Sequence, residues 1–214
     1  MIESVTVQRE AQPLGLFSSR FNKSNLLYVN GFCYNNFMEY TLKNGKTVII
    51  RKPTLDDAQA IINIISVADT ETKFLSRNPE EFKVTEEQEK EFIRNILEDN
   101  DQDWFVAEYD GQVVGQCSVG LIRKTERCCH RAEVTFVILK NYCGMGIGGK
   151  LMQQCINWCK DKNVTQIELS VVEGNKSAIA MYEAFGFKIT GTIPKAMCYK
   201  DGSFADEKLM VLEL

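Results

Sequence analysis

The sequence predicts an α/β fold in which helices cover both faces of a mixed β-sheet. Hairpin-like segments come early in the chain, and a β-α-β-α-β alternation follows from Arg131 onward. Hairpins give antiparallel strand pairs and the alternation gives parallel ones, so together they predict a mixed sheet. The composition, with 44% hydrophobic and 25% charged residues among 214, is typical of a globular domain with its own core.

A hairpin and two helices open the regular part of the chain. Strands are predicted at 40–43 and 46–51, because the intervening Asn44-Gly45 pair is a strong hairpin signal. Pro53 ends the second strand, and Thr54 is suited to cap a helix. The apolar residues that follow at helical spacing are Leu55, Ala58, Ile61, Ile62 and Ile65.

A second helix is predicted after a polar, irregular stretch at 69–83. Thr85 and Gln88 match a capping box at its start. The side chains expected to be buried by this helix are Phe92, Ile93, Ile96 and Leu97.

The remaining elements alternate between strands and helices. Strands are predicted at 104–108, 113–122, 131–139, 166–172, 187–190 and 208–212, with turns at 110–111 and 199–202. A helix between 139 and 166 carries an apolar face made of Ile147, Leu151, Met152, Cys155, Ile156 and Cys159. Asn175 caps a last helix that runs to about Ala184.

Charge and cysteine content exclude several classes of protein. Lys and Arg total 25 against 29 Asp and Glu, so the basic excess typical of a duplex nucleic-acid binder is missing. No apolar run approaches the ~18 residues of a membrane helix, and the N-terminus does not resemble a secretory signal. We therefore expect a cytoplasmic protein with reduced thiols. Its only histidine is His130, so no metal site is predicted.

A glycine-rich loop is the most informative segment. Four glycines fall within 144–149, directly between a predicted strand and a predicted helix. Glycines let a ligand approach the backbone closely, and free N–H groups at a helix start bind anions. The loop therefore predicts a phosphate-binding site, and its structural alternative is a tight strand-to-helix turn.

Two general phosphate motifs fit the loop in part. Gly144, Gly146 and Gly149 match the G-x-G-x-x-G dinucleotide fingerprint, but too few residues follow for the further β-α units of that fold. The stretch 144–150 matches G-x-x-x-x-G-K, but Leu151 stands where a P-loop has the Ser or Thr that holds Mg²⁺.

A third interpretation uses the chain from about residue 40 to 214. The stretch 141–146 resembles the Gln/Arg-x-x-Gly-x-Gly/Ala motif of the GCN5-related N-acetyltransferase (GNAT) superfamily, and 131–139 resembles the strand before it. The run 175–187 is similar to the next family motif, N-x-x-A-x-x-x-Y-x-x-x-G-F. The resemblance implies a GNAT-like acyl-CoA N-acyltransferase fold, with a mostly antiparallel sheet splayed between its fourth and fifth strands.

The resemblance also implies acetyl-CoA as the cosubstrate, without a metal. Backbone at Val137 and Ile138 would pair with the pantetheine amides, and Asn175 would contact the cofactor or only cap its helix. Asn141 stands where the family usually has Gln or Arg, and Cys143 stands where many members have Arg, which implies pyrophosphate binding mainly through backbone amides. The residues implied for that contact are Cys143, Gly144, Met145, Gly146, Ile147, Gly148 and Gly149.

Direct transfer to an amine in a ternary complex needs a base and an acid, since free amines have a pKa near ~10. Glu133 is the first candidate for the base, and its alternative role is that of a plain surface carboxylate. His130 and Glu126 are the other candidates for the base. Tyr182 lies where the family often has its acid, and its alternative is a packing residue.

The implied acceptor is a small-molecule or peptide amine, bound by the first two helices, 69–83 and the last hairpin. Acidic side chains there suit a cationic amine, although such residues are usually solvated; they are Asp69, Glu71, Glu80 and Glu81. The sequence leaves the oligomeric state open, a dimer included. The competing functions are a catalytically silent acyl-CoA-binding module and a P-loop phosphotransferase.

Residues 1–37 are interpreted as an N-terminal extension and 38–214 as the catalytic domain. The first 37 residues have little amphipathic period, and Met38 would suit a natural first residue. In the competing view, 26–29 forms an extra edge strand or an arm between subunits.

Overall fold

The computed structural model describes residues 26–29, 32–35 and 37–214, which fall into two units, Met1–Asn35 and Asn36–Leu214. In the first unit, β1 (Leu26–Val29) pairs antiparallel with β2 (Phe32–Asn35) as a separate two-stranded sheet. The stretch 26–29, a strand in the competing view, is thus a strand whose partner is β2. The expectation for residues 1–25 lies outside the described residues.

The second unit contains an eight-stranded sheet with the order β3-β4-β5-β6-β7-β8-β10-β9. Its strands are β3 (Phe37–Thr41), β4 (Thr47–Arg51), β5 (Gln102–Tyr109), β6 (Gln112–Leu121), β7 (Arg131–Ile138), β8 (Gln166–Val172), β9 (Lys188–Cys198) and β10 (Phe204–Glu213). Of these neighbouring pairs, β7 with β8 is parallel and all the others are antiparallel. The predicted mixed, mostly antiparallel sheet is confirmed.

Four helices cover the two faces of this sheet, as predicted. They are α1 (Ala58–Glu71), α2 (Glu86–Glu98), α3 (Ile147–Asp161) and α4 (Lys176–Ala184). Successive side chains of a strand point to opposite faces. Along β5, Trp104 and Val106 pack with α1 and α2, whereas Phe105 and Ala107 belong to the core that includes α3. None of the helices in the described ranges is long and apolar enough to cross a membrane.

The start of α1 is tied to the sheet by an ion-pair network. Arg51 of β4 lies 2.7 Å from the Asp57 carboxylate and 2.9 Å from that of Glu108 on β5. Burial raises the pKa of Asp57, but hydrogen bonds from Arg51 and Thr54 outweigh it and leave that pKa below its usual value. The network thereby fixes α1 over the sheet.

Two predicted details of α2 are wrong. Phe92 is 56% exposed and Leu97 is 39% exposed, although both were expected in the core. The inner face of α2 instead carries Glu89, Ile93 and Ile96, which are spaced i, i+4 and i+7. Phe92 lies at the flank of this stripe, where its ring meets Trp104 edge-on at 5.7 Å.

The predicted bounds of the last two strands are also wrong. β9 extends to Cys198 and β10 begins at Phe204, and the predicted turn at 199–202 lies between them. β9 is an edge strand with almost no buried residues, so its sequence shows no alternation of apolar and polar residues. It also includes Pro194, which edge strands tolerate and inner strands do not.

Candidate functional site

The parallel strands β7 and β8 separate in the middle of the sheet. Their pairing covers Arg131–Gln166, Ala132–Ile167 and Glu133–Glu168, whereas β7 continues to Ile138 and β8 to Val172. The sheet is thus splayed where the resemblance predicted, and a gap opens along the second half of β7.

The register of β7 determines which backbone groups face this gap. The Leu139 N–H donates to the Val114 carbonyl oxygen on the β6 side. Backbone groups of successive residues in a strand point to alternate sides, so those of Val137 also face β6. The backbone groups of Phe136 and Ile138 therefore face the gap. This corrects the expectation that backbone groups of Val137 are free to pair with the pantetheine amides.

The glycine loop leads from β7 into the first turn of α3. Gly144 and Gly146 have φ values of 77° and 93°, and Gly146 caps the helix. A Cβ added at either position would meet nothing within 4 Å, so both face open space. The first backbone N–H groups of a helix have no acceptor within it. Those of Ile147, Gly148 and Gly149 are therefore available to an anion.

Side chains around the loop pack inward or bond locally, and this leaves its backbone exposed. Ile147 is 1% exposed, and a Cβ at Gly148 would lie 2.7 Å from the Met181 sulfur. The Cys143 thiol contacts the Leu139 carbonyl oxygen at 3.6 Å. Burial and the Glu71 carboxylate raise the pKa of Cys143, so this thiol is a poor nucleophile at neutral pH.

The structure fits neither the P-loop nor the dinucleotide-binding motif. A P-loop lysine must reach phosphate, but Lys150 lies over the Tyr40 ring at 4.7 Å and Leu151 is completely buried. The dinucleotide fold requires a mostly parallel sheet. Here one strand pair is parallel, and Glu168, which stands where that motif has its ribose-binding carboxylate, forms an ion pair with Arg131.

Tyr182 lies on α4 and is 7% exposed. Its ring packs between Phe136 of β7, at 6.1 Å, and Phe187, at 5.7 Å, and the backbone of Phe136 faces the gap. Burial, with smaller contributions from Cys155 and Cys117, raises the pKa of Tyr182 to about 12. The phenol is therefore a firmly held proton donor at neutral pH.

A cleft of about 700 Å³ lies on the face of the sheet covered by α1 and α2. Alternate residues of β7 line it, namely Glu133, Thr135 and Val137. Glu133 is exposed, and its pairing with Glu168 is the last β7–β8 pair before the gap. His130 and Glu126, the other candidate bases, lie in the β6–β7 connection and do not line this cleft.

The acidic residues proposed from sequence have structural partners. Asp69 pairs with Arg77 at 2.7 Å, Glu71 accepts the Lys140 backbone N–H, and Glu80 pairs with Lys200. Asn175 is a true helix cap, because its side-chain oxygen accepts the Ala178 N–H at 3.3 Å. Its amide nitrogen has no recorded protein acceptor among the described residues.

Two buried polar residues of the cleft were missed by the sequence argument. Glu89 is 4% exposed and Gln116 is 7% exposed, and both line the cleft. The Gln116 Oε1 atom has no hydrogen-bond partner in the part of the chain that the structure describes, which for a buried acceptor costs about 1–3 kcal/mol. Glu89 was detectable in the sequence, because it is a carboxylate in the apolar stripe that contains Ile93 and Ile96.

Comparison with known proteins identifies the family of this fold and site. The sequence model of the acetyltransferase (GNAT) family matches residues 67–187, more than half of the chain. The chain belongs to the GNAT family.

Curated relatives match the chain over about half of its length. It is 31% identical over 106 residues to the L-amino acid N-acetyltransferase AaaT of Escherichia coli, and 31% identical over 110 residues to a spermine/spermidine N(1)-acetyltransferase of Bacillus subtilis. These matches cover 49% and 50% of this chain and 64% and 66% of those proteins. The chain thus spans slightly less than two thirds of the length of these relatives.

Solved structures agree on the fold. A GNAT acetyltransferase from Streptococcus pneumoniae superimposes with a TM-score of 0.73 at 24% identity, over 78% of this chain and 99% of that one. A structure from Salmonella typhimurium that contains its cofactor acetyl-CoA has a TM-score of 0.68 at 22% identity, over 78% of this chain and 94% of that one. At these identities the likeness establishes the fold.

Proposed function

We propose that this chain is an acetyl-CoA-dependent N-acetyltransferase that moves an acetyl group to a small amine by direct attack in a ternary complex. One observation carries the proposal. β7 borders the gap and leads at its end toward the glycine-capped start of α3, and alternate side chains of the same strand line the cleft under α1 and α2. An anionic cofactor and an amine therefore have separate entrances to one reaction point.

The chain offers acetyl-CoA backbone contacts in particular. The N–H groups of Ile147, Gly148 and Gly149, with the positive end of the α3 dipole, suit its pyrophosphate. Backbone groups of Phe136 and Ile138 face the gap and are placed to pair with its pantetheine amides. Met145 and Cys143 complete the loop, and Asn175 has an amide nitrogen to donate.

Glu133 is the proposed base. The acceptor enters as an ammonium ion, which must lose a proton before its nitrogen can attack. Glu133 lies on the cleft side of β7 at the beginning of the gap, so it takes this proton directly or through one water. The nitrogen then forms the new C–N bond with the acetyl carbon.

Tyr182 is the proposed acid. Acetyl-CoA supplies the acetyl thioester, and a backbone N–H of β7 that faces the gap donates to the carbonyl oxygen on which charge develops. As the C–S bond breaks, Tyr182 donates its phenol proton to the sulfur. Its ring packs against Phe136, whose backbone faces the gap, and its raised pKa keeps the donor protonated.

A small amine is the proposed acceptor. Two of the similar proteins are named for L-amino acids and for spermine or spermidine, which are small amines. The cytoplasm is the proposed location, and it is supported by free thiols at all seven cysteines that the structure describes in detail.

Thiol release from acetyl-CoA in the presence of an amine panel tests this function. We expect release that depends on the amine, with a product heavier by one acetyl group. Binding of acetyl-CoA without release would support the silent acyl-CoA-binding module. ATP binding without any response to CoA would support the phosphotransferase.

A further inference from the structure

We propose that the acceptor is a diamine whose second ammonium group binds Glu89 and Gln116 inside the cleft. The inference rests on the proposed acetyl transfer, because it concerns the acceptor half of the same site. It assigns a recognition role to two residues outside the proposed chemistry.

Glu89 is a buried carboxylate for which the described residues supply no counter-charge. It lies on the inner face of α2 with Ile93 and Ile96 and is 4% exposed. No hydrogen bond or ion pair to its carboxylate is recorded among the described residues. Buried carboxylates in proteins are normally paired, and a cation from the cleft is the partner that fits this one. Burial also raises the pKa of Glu89, in keeping with a missing counter-charge.

Gln116 supplies a second, independent sign of a missing donor. It lies in the centre of β6 opposite Val137, on the face that lines the cleft. Its Oε1 atom is buried, and none of the residues described in 37–214 gives it a hydrogen bond. An ammonium group has three N–H donors, so it can serve both the Gln116 amide oxygen and the Glu89 carboxylate.

The charges that line the cleft favour a cationic acceptor. Its carboxylates belong to Glu89, Asp99, Asp101 and Glu133, and its cations are Arg77, Lys83 and Lys124. Lys124 is shared by Asp99 and Asp101, Arg77 is held by Asp69, and Lys83 is exposed. Glu89 and Glu133 have no paired cation among the described residues, so the two positive charges of a diamine match two unpaired carboxylates.

Apolar walls suit the carbon chain between the two amines. Trp104 is 4% exposed and Phe92 meets it edge-on, and both line the cleft together with Phe82. Aromatic faces bury methylene groups and attract ammonium ions. The cleft therefore combines an apolar middle with acceptors for a second cation.

The test compares 1,4-diaminobutane with 1-aminobutane, which has the same carbon chain but lacks the second amine. For the unaltered chain we expect kcat/KM to be at least about tenfold higher with the diamine, the effect of one charge-assisted contact. Glu89→Gln should raise KM for the diamine about tenfold, with kcat and the KM for the monoamine little changed. Gln116→Leu should act in the same direction, and Glu91→Gln, on the exposed side of α2, should change nothing.

Each result has a distinct meaning. Equal use of the two amines, a preference for L-alanine, or an unchanged diamine KM in folded Glu89→Gln would overturn the diamine assignment while leaving acetyl transfer in place. Failure to acetylate any amine would overturn the proposed function, and the diamine assignment with it. Near-equal melting temperatures of Glu89→Gln and Glu91→Gln would confirm that the comparison is between folded proteins.

Discussion

Tyr182 connects the buried surface of α4 to the proposed proton transfer. Replacement of Tyr182 by Phe keeps the ring between Phe136 and Phe187 but removes the proton donor. Loss of a general acid typically costs about 10²- to 10⁴-fold. We expect kcat to fall at least about tenfold with acetyl-CoA affinity unchanged, as measured by steady-state rates and calorimetry.

Tyr109 provides a matched control for that variant. It is also a buried tyrosine, at 8% exposure, but its hydroxyl accepts a hydrogen bond from the Asn44 side-chain amide on the first hairpin of the main sheet. Tyr109→Phe should leave kcat unchanged. If Tyr182→Phe also left kcat unchanged under conditions in which chemistry limits the rate, Tyr182 would be a packing residue.

The raised pKa of Tyr182 gives a prediction in alkaline solution. An acid whose pKa rises on folding stabilises the folded state below its unfolded pKa, near ~10 for tyrosine, and that stability is lost toward the folded value. With a folded pKa of about 12, Tyr182 should stay protonated through pH 10. The tyrosinate absorbance of the folded protein, minus that of Tyr182→Phe, should show this ionisation near pH 12. A midpoint near pH 10 would contradict the burial of the hydroxyl.

The beginning of α3 is the element on which we expect cofactor binding to depend. Gly146→Leu would place a side chain in the open space at the helix start and strain a backbone with φ of 93°. We expect acetyl-CoA to stop raising the melting temperature while the fold survives.

Gly111 provides a control that distinguishes the loss of acetyl-CoA binding from the effect of backbone strain. It has a φ of 76° in the β5–β6 turn, and an added Cβ there also meets nothing within 4 Å. Gly111→Leu should lose similar stability, about 1–2 kcal/mol for a left-handed residue, yet keep its response to acetyl-CoA. Wild-type acetyl-CoA affinity in Gly146→Leu would mean that the loop is not the phosphate site.

At the scale of elements, local patterns predicted most of the fold. The Asn44-Gly45 turn, the Thr85 capping box and the glycine-started α3 all formed as expected, because each is encoded by neighbouring residues. β9 was underestimated because an exposed edge strand has no pattern of burial. The direction of the Val137 backbone could not be predicted, since it depends on the register with β6.

The division of the chain gives a prediction for the whole molecule. The main sheet begins at Phe37, and the buried apolar residues of the described chain run from Leu42 to Leu212. A protein starting at Met38 keeps β3 except for Phe37. We expect it to be soluble, to bind acetyl-CoA as before and to unfold with similar cooperativity.

Denaturant unfolding of this shortened protein decides between the two views of residues 1–37. Surface changes usually stay within ~0.5 kcal/mol of the original stability. Aggregation, or a loss of more than about 2 kcal/mol, would mean that these residues contribute to the core.

Across the whole molecule, the sequence pointed to the proposed cofactor side of the site more directly than to the proposed acceptor side. The residues proposed to bind the cofactor lie mostly in continuous stretches around Gly146 and Asn175. The acceptor cleft instead joins α1, α2, β5, β6 and β7, so Glu89 and Gln116 come together only through the tertiary fold. Their lack of partners appears only once every neighbouring side chain is placed.

The proposed mechanism transfers the acetyl group directly between two substrates that are bound at the same time. Initial rates of CoA release, with acetyl-CoA and the best amine of the panel both varied, test it most directly. We predict that release requires both substrates and that double-reciprocal plots intersect, because both must occupy the β7–β8 gap before the C–N bond forms. Parallel lines would show transfer through an acetylated enzyme and would contradict the account, as would the absence of amine-dependent release.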